Sequence, residues 1–290
     1  MSPPTLAVVA AGAMGAAVAR RLTTAGCTVL TNLEGRSQAT RERAASAGML
    51  DVPMPELAAR SQWVLSILPP SDALAFAARY KDVAPAQSKF RLAFADCNAV
   101  SPETVKKIAA LFDGSGIGFV DAGIIGGPPK EGYDPVFYAS AAPEDSALLD
   151  EFSGLSTGVG DASALKMSYA GISKGIIGLT TTMILAAHAS SPATAQALVH
   201  ELHSSQPQVL QRITTSVPAM LPKAYRWVGE MEEISSFVGD GEGQIHQGLA
   251  RLYERVERSL KEEKEGGPAE DVKVLRSFVD DAKAVIGGQK

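Results

Sequence analysis

Apolar and polar positions change rhythm once along this chain, near residue 158. Before that point short apolar runs alternate with stretches of helical period. Leu6 to Val9, Cys27 to Thr31, Trp63 to Leu68, Leu92 to Ala95 and Gly118 to Val120 read as strands, with Phe137 to Ala141 a later one. Strands alternating with helices predict a mainly parallel sheet covered on both faces. Beyond residue 160 the strand signals stop. Ala162 to His188 contains no proline and is long enough for one helix of about seven turns. Ser191-Pro192 reads as the cap and first residue of the next. Trp227, Met231, Ile234 and Phe237 mark another helix, and Ile245, Leu249, Leu252, Val256 and Leu260 mark one more apolar face. Lys261 to Gly267 reads as a charged connector, and Pro268 as the opening of a last helix carrying Val272, Leu275, Val279 and Ile286.

The first strand runs into Ala10-Ala11-Gly12-Ala13-Met14-Gly15 and then an alanine-rich stretch that Ala25-Gly26 closes as a C-cap. A strand, a turn of small residues and a helix start place free backbone N–H groups and the positive end of a helix where a pyrophosphate can sit. Ala11, Gly12, Ala13 and Met14 are therefore candidate cofactor contacts, although Ala10 stands where a G-x-G-x-x-G fingerprint has its first glycine. The second strand ends in Asn32-Leu33-Glu34-Gly35-Arg36-Ser37, the place where such a βαβ unit meets the adenosine ribose. Glu34 can accept from the ribose hydroxyls and favour NAD. Arg36 with Ser37 can hold a 2′-phosphate and favour NADP, which the guanidinium fork makes the preferred expectation. The predicted class is α/β, with a Rossmann doubly wound sheet over residues 1–158 followed by an all-α domain over residues 159–290.

Composition narrows the function. The chain has 290 residues, 46% of them hydrophobic, which is enough for a substantial core. A formal charge of −5 supplies no basic surface for nucleic acid or an anionic membrane, and neither is expected as a partner. Two cysteines, Cys27 and Cys97, both beside predicted strands, point to a reducing compartment, the cytoplasm. Met1-Ser2-Pro3-Pro4 precedes a short strand without a charged segment, so neither a signal peptide nor a membrane span is expected.

Four short segments, in order, carry a resemblance. Ala10-Ala11-Gly12-Ala13-Met14-Gly15, Ser66-Ile67-Leu68-Pro69-Pro70, Asp96-Cys97-Asn98-Ala99-Val100-Ser101-Pro102 and Asp121-Ala122-Gly123-Ile124-Ile125-Gly126-Gly127 are similar to G-L-G-x-M-G, a strand ending in L-P-P, D-x-S-T-x-x-P and D-A-P-V-S-G-G. Lys166 follows Gly158-Val159-Gly160 on the predicted long helix. With these segments the chain resembles the β-hydroxyacid dehydrogenase superfamily, which includes 3-hydroxyisobutyrate and 6-phosphogluconate dehydrogenases and the related imine reductases. The resemblance implies that Leu68, Pro69, Pro70 and Asn98 lie along the cofactor. It implies that Ile125, Gly126 and Gly127 form a substrate loop and that Lys166 is catalytic. It also implies a homodimer whose helices complete the cleft between chains.

The departures are as informative. Where the family has an asparagine four residues after the lysine there is Ala170, where it has a carboxylate-gripping serine there is Ile125, and phosphogluconate dehydrogenases carry a glutamate at the position of Ser173. Ala170 and Ser173 remain candidate substrate positions, but a carboxylate buried without partners is expensive, so the expected substrate is a small molecule less polar than a plain hydroxy acid. Arg226-Trp227-Val228-Gly229-Glu230-Met231-Glu232-Glu233 marks a branch with its own C-terminal domain. Hydride transfer needs a group that gives or takes a proton at the neighbouring heteroatom. Lys166 suits this if desolvation lowers its pKa, and Tyr169, one turn on, is the second candidate. Lys174 reads as solvated or structural and Trp227 as a core anchor. His200 and His203 lack a third ligand at metal spacing, so no metal is expected. The function expected is an NADP-dependent oxidoreductase, with an imine reductase and a non-catalytic NADPH-binding sensor as alternatives.

Overall fold

The computed structural model describes residues 4–85, 91–151, 153–154 and 159–288. The chain packs as two compact units, residues 1–169 and 170–290. The expected boundary at residue 158, with Gly158 itself, lies outside the described residues. The observed division falls inside a helix, so the first turns of that helix pack with the sheet.

In the first unit one sheet is built from β1 (Thr5–Val9), β2 (Thr28–Thr31), β3 (Leu50–Asp51), β4 (Trp63–Ser66), β5 (Ala93–Asp96), β6 (Gly118–Ile125), β7 (Val136–Ser140) and β8 (Ser153–Gly154). Their spatial order is β3-β2-β1-β4-β5-β6-β7-β8, with every neighbouring pair parallel except β6 and β7. The first six strands thus run 3-2-1-4-5-6, the doubly wound order. Helices α1 (Ala13–Thr24), α2 (Gln38–Ser46), α3 (Met54–Arg60), α4 (Pro70–Val83) and α5 (Pro102–Ala110) connect them. Alternate strand residues feed two cores, Val8, Ala95 and Val120 on one face and Ala7, Val64 and Phe94 on the other. β3 escapes the sequence pattern because both of its residues are exposed. β6 runs on past the expected Val120 to Ile125 because it pairs antiparallel with β7 there.

The long helix is α6 (Asp161–Ser190), and after it come α7 (Pro192–Ser205), α8 (Pro207–Met220), α9 (Ala224–Val238), α10 (Gly243–Lys264) and α11 (Glu270–Ile286). Ser191 caps α7 as expected, its hydroxyl accepting from Thr194 N–H at 3.0 Å. Three readings need correction. The charged run from Lys261 is not all connector: α10 continues to Lys264, its charges forming a solvated face with Lys261 paired to Glu257 at 2.9 Å. Pro268 does not open α11; Ala269, in the left-handed region at φ 46°, precedes its first residue, Glu270. Ile245 lies on the exposed side of α10, where its 65% exposure sets it apart from buried Leu249 and Val256. α8, with Pro218 inside it, was not singled out by the pattern.

Within the second unit, glycines let α6 lie close to its neighbours. A Cβ at Gly178 would stand 2.7 Å from a Leu249 methyl and 2.9 Å from the Tyr253 hydroxyl. Lys174 is structural: it pairs with buried Glu230, which Arg226 also approaches at 3.4 Å, and its ammonium lies 5.6 Å from the Trp227 ring centre. Among the described residues α6 is the one helix long and apolar enough to cross a bilayer by length and composition.

Candidate active site

The site grows from the end of β1. Gly12 is the N-cap of α1 and among the described residues no side chain caps that helix, which leaves first-turn N–H groups able to meet a ligand. Nothing lies within 4 Å of where a Gly12 Cβ would be, and that is the space a diphosphate needs. Gly15 is constrained from the other side, since a Cβ there would stand 1.9 Å from the Ala10 carbonyl oxygen. Ala10 is buried and is not among the residues with positive φ, so the turn is made without a glycine at its first position. Met14 packs half-buried against the core. These features fit the phosphates of a dinucleotide.

At the adenosine end, Gly35 takes φ +69° and Arg36 N–H closes the turn onto the Leu33 carbonyl at 3.1 Å. Glu34 and Arg36 both project from it exposed. Ser37 caps α2, accepting from Thr40 N–H at 3.4 Å, with its hydroxyl 3.1 Å from that of Thr40. Two arginines that sequence reasoning passed over stand here. Arg41 donates to the Leu33 carbonyl at 2.6 Å and pairs with Asp51 at 3.4 Å, whereas Arg43 donates to the Ala11 carbonyl at 3.2 Å and to Thr40 Oγ1 at 2.9 Å.

The strand ends that would flank the nicotinamide are held by Asn98. Its Oδ1 accepts from Leu68 N–H at 2.5 Å, and its Nδ2 donates to Ser66 Oγ at 2.8 Å and to Asp96 Oδ2 at 3.0 Å. A buried amide with both donors spent positions the Leu68-Pro69-Pro70 segment. Pro69 and Pro70 then serve as N-cap and first residue of α4.

Lys166 reaches the end of β6, where its Nζ donates to the Ile124 carbonyl. Gly123 makes that approach possible: a Cβ there would lie 3.0 Å from the Ala162 carbonyl oxygen and 3.4 Å from Lys166 Cβ. The start of α6 is tied to β6 by Asp121. Its carboxylate accepts from Ser163 Oγ at 2.7 Å, Ser140 Oγ at 3.0 Å, Gly160 N–H at 3.0 Å and Ser163 N–H at 3.1 Å. Burial pushes the Asp121 pKa up, against the pull of these four donors. The neighbouring Cys97 thiol is raised as well, first by burial and then by Asp96 and Asp121.

Half-buried Ile125 leads into a loop that carries its own clamp. Gly126 takes φ +133°, Gly127 N–H donates to the Tyr133 hydroxyl at 3.2 Å, and Arg21 on α1 donates to Asp134 at 2.8 Å and to the Lys130 carbonyl at 2.6 Å. Tyr133 and Arg21 were not legible as site residues, because no local spacing links them. Tyr169, by contrast, is 53% exposed. Ala170 is buried one position on, and the Ser173 hydroxyl is turned back toward the Ala170 carbonyl at 3.4 Å.

Residues 189–256 match a domain of unknown function, DUF1932. Among curated proteins none matches the chain. The conserved protein MTH1747 of unknown function, whose structure is described as similar to 3-hydroxyacid dehydrogenases, is 25% identical, with 88% of this chain and 97% of that chain covered at a TM-score of 0.60. The 3-hydroxyisobutyrate dehydrogenase of Mycobacterium tuberculosis, solved with L-serine, shares the fold at 16% identity, 87% and 93% coverage and a TM-score of 0.63. The imine reductase of Myxococcus stipitatus, solved with NADP+, does so at 18% identity, 95% and 100% coverage and a TM-score of 0.51. Residues 5–152, from β1 through the strand ends just described, match the NAD binding domain of 6-phosphogluconate dehydrogenase, and the chain belongs to that family.

Proposed function

We propose that this chain is an NADP-dependent oxidoreductase that transfers a hydride to or from a small carbonyl/alcohol substrate less polar than a simple hydroxy acid. The observation that carries the reading is the Lys166 ammonium at the Ile124 carbonyl, next to Ile125 at the end of β6. An ammonium there can give a proton to a substrate oxygen as charge develops and recover it in the reverse direction. Bound NADP supplies or accepts the hydride. The chain's own work is to receive the phosphates at the Gly12 turn, to fix Leu68 through Asn98, to hold the 2′-phosphate with Arg36 and Ser37, and to move the proton through Lys166.

Ile125 and Ala170 support the apolar substrate, since each stands where the resemblance expects a polar grip on a carboxylate. The same two residues favour a second reading, an imine/amine pair, which needs no such grip. Following NADPH absorbance with a panel of ketones, keto acids, semialdehydes and cyclic imines tests both. Oxidation with a carbonyl supports the first and oxidation with an imine the second. Tight NADPH binding with no turnover on any member rejects both in favour of a sensor.

A homodimer belongs to the same proposal. Ile172, Ile176, Leu179 and Met183 on α6 are exposed, and their alternating spacing of four and three residues is the stripe one helix offers another. A bilayer is the poorer occupant, because Lys174 and Glu230 place an ion pair beside the middle of this helix. Sedimentation equilibrium reads the outcome, a dimer supporting the assignment and a monomer opposing it.

A further inference from the structure

Tyr133 spends the oxygen of its hydroxyl inside the loop that follows β6 and keeps the proton. After Ile125 the chain turns into a short hairpin, in which the Lys130 N–H donates to the Tyr133 carbonyl at 2.9 Å and the Tyr133 N–H to the Lys130 carbonyl at 3.0 Å. The hairpin carries the phenol back to the start of the loop, where it accepts from Gly127 N–H at 3.2 Å and donates to no acceptor among the described residues. Gly126 keeps the space: a Cβ there would collide with the Tyr133 hydroxyl and stand 3.2 Å from Pro135 Cβ. Arg21 pins the other end of the hairpin to α1, donating to Asp134 at 2.8 Å and to the Lys130 carbonyl at 2.6 Å. Gly126 is two residues from Ile124, whose carbonyl holds the Lys166 ammonium, so the two Cα atoms are no more than about 8 Å apart.

A pinned loop thus sets one neutral donor a short step from the ammonium that meets the reacting oxygen. The phenol is 39% exposed, so in the free protein its proton meets water, and a substrate oxygen can take that water's place. The charges around it cancel: Arg21 is paired with Asp134, and exposed Lys130 and Glu131 are neighbours of opposite sign. A single uncharged donor in neutral surroundings suits a hydroxyl or carbonyl oxygen and does not repay the desolvation of a carboxylate. We propose that Tyr133 is a specificity-determining residue whose O–H donates to a second, uncharged oxygen of the substrate, on the carbon beside the reacting carbonyl or the next one, and that Arg21 is the residue that positions it. The inference rests on the functional reading in taking Lys166 to mark the reacting oxygen, and it narrows the substrate class to hydroxyketones and dicarbonyls.

The test is steady-state reduction of acetoin, 4-hydroxy-2-butanone and butanone with NADPH by wild type, Tyr133→Phe, Arg21→Ala and the double variant, with the melting temperature of each as a folding control. The readout is the ratio of kcat/KM for the better hydroxyketone to that for butanone, in which losses of fold or of cofactor affinity cancel. Wild type should favour the hydroxyketone, and Tyr133→Phe should lower the ratio roughly tenfold, the worth of one neutral hydrogen bond. Arg21→Ala should lower the ratio by raising KM for the hydroxyketone, and should lower it no further in the Tyr133→Phe background. An unchanged ratio in Tyr133→Phe, whatever its melting temperature, reduces the phenol to a staple of the hairpin and overturns the inference. A further fall in the double variant overturns the positioning role of Arg21. Wild type that turns over other members of the panel without preferring a hydroxyketone overturns the inference alone, whereas no turnover on any ketone or imine overturns it together with the functional reading.

Discussion

Ser163 bonds twice to Asp121 across 42 positions of sequence, its hydroxyl at 2.7 Å and its N–H at 3.1 Å from the two carboxylate oxygens. This pair joins the first turn of α6 to the middle of β6. Lys166 stands three residues further along the same helix, so the direction in which its ammonium leaves the helix depends on a buried carboxylate. Both elements of the candidate catalytic centre are thereby set from within the first unit.

Replacing Asp121 should therefore cost stability and position together. Asp121→Ala strands the N–H groups of Gly160 and Ser163, and a buried donor left without an acceptor costs about 1–3 kcal/mol. Asp121→Asn can accept at only one of its two side-chain atoms and should fall between. Urea unfolding followed by far-ultraviolet circular dichroism checks the order wild type, Asn, Ala. Equal midpoints for all three would show that the four bonds add nothing to the fold.

The roles of the two glycines in the phosphate turn separate cleanly. A side chain at Gly12 meets open space, so Gly12→Val should fold with a near wild-type melting temperature and lose NADPH binding. A side chain at Gly15 meets the Ala10 carbonyl at 1.9 Å, so Gly15→Val should lower the melting temperature as well. Thermal unfolding and NADPH titration of the two variants check this. Tight binding by Gly12→Val would move the diphosphate away from this turn.

Much of this was legible in order and little of it in contact. The strand-turn-helix of β1 and α1 and the Pro and Ser caps of α4, α5 and α7 follow local rules that a sequence displays directly. Lys166 was named through the resemblance, since its place on a long helix after Gly158-Val159-Gly160 does not by itself mark a catalytic lysine. Arg43 was not: its link to Ala11 spans 32 positions and depends on how α2 packs beside α1. The bonds from Asn98 to Ser66 and Asp96 join partners that only the sheet register brings together. The end of α10 was misread because charge density marks a solvated helix face as well as it marks a loop.

In the helical unit, His246 carries a pH prediction. Its Nδ1 is buried and has no hydrogen-bond partner among the described residues, Gly171 lies against its Nε2, and burial lowers its pKa below the usual imidazole value. A folded-state pKa below the unfolded one means that the unfolded chain binds the extra proton first. The contribution of His246 is then fully present above the unfolded value near 6.5 and is lost as the pH falls through the lower folded value. Melting temperatures at stepped pH should drop on acidification more steeply for wild type than for His246→Phe. Parallel curves would show that the ring does not titrate differently in the two states.

The central claim is that Lys166 moves the proton that accompanies hydride transfer, and the most direct measurement is the turnover rate of Lys166→Ala beside its affinity for NADPH, on the best substrate of the panel. General acid–base catalysis is worth roughly a hundredfold or more, so the account predicts a loss of that size with NADPH affinity little changed, while Tyr169→Phe stays near wild type. Wild-type turnover in Lys166→Ala would contradict it, and a large loss confined to Tyr169→Phe would hand the proton to the tyrosine.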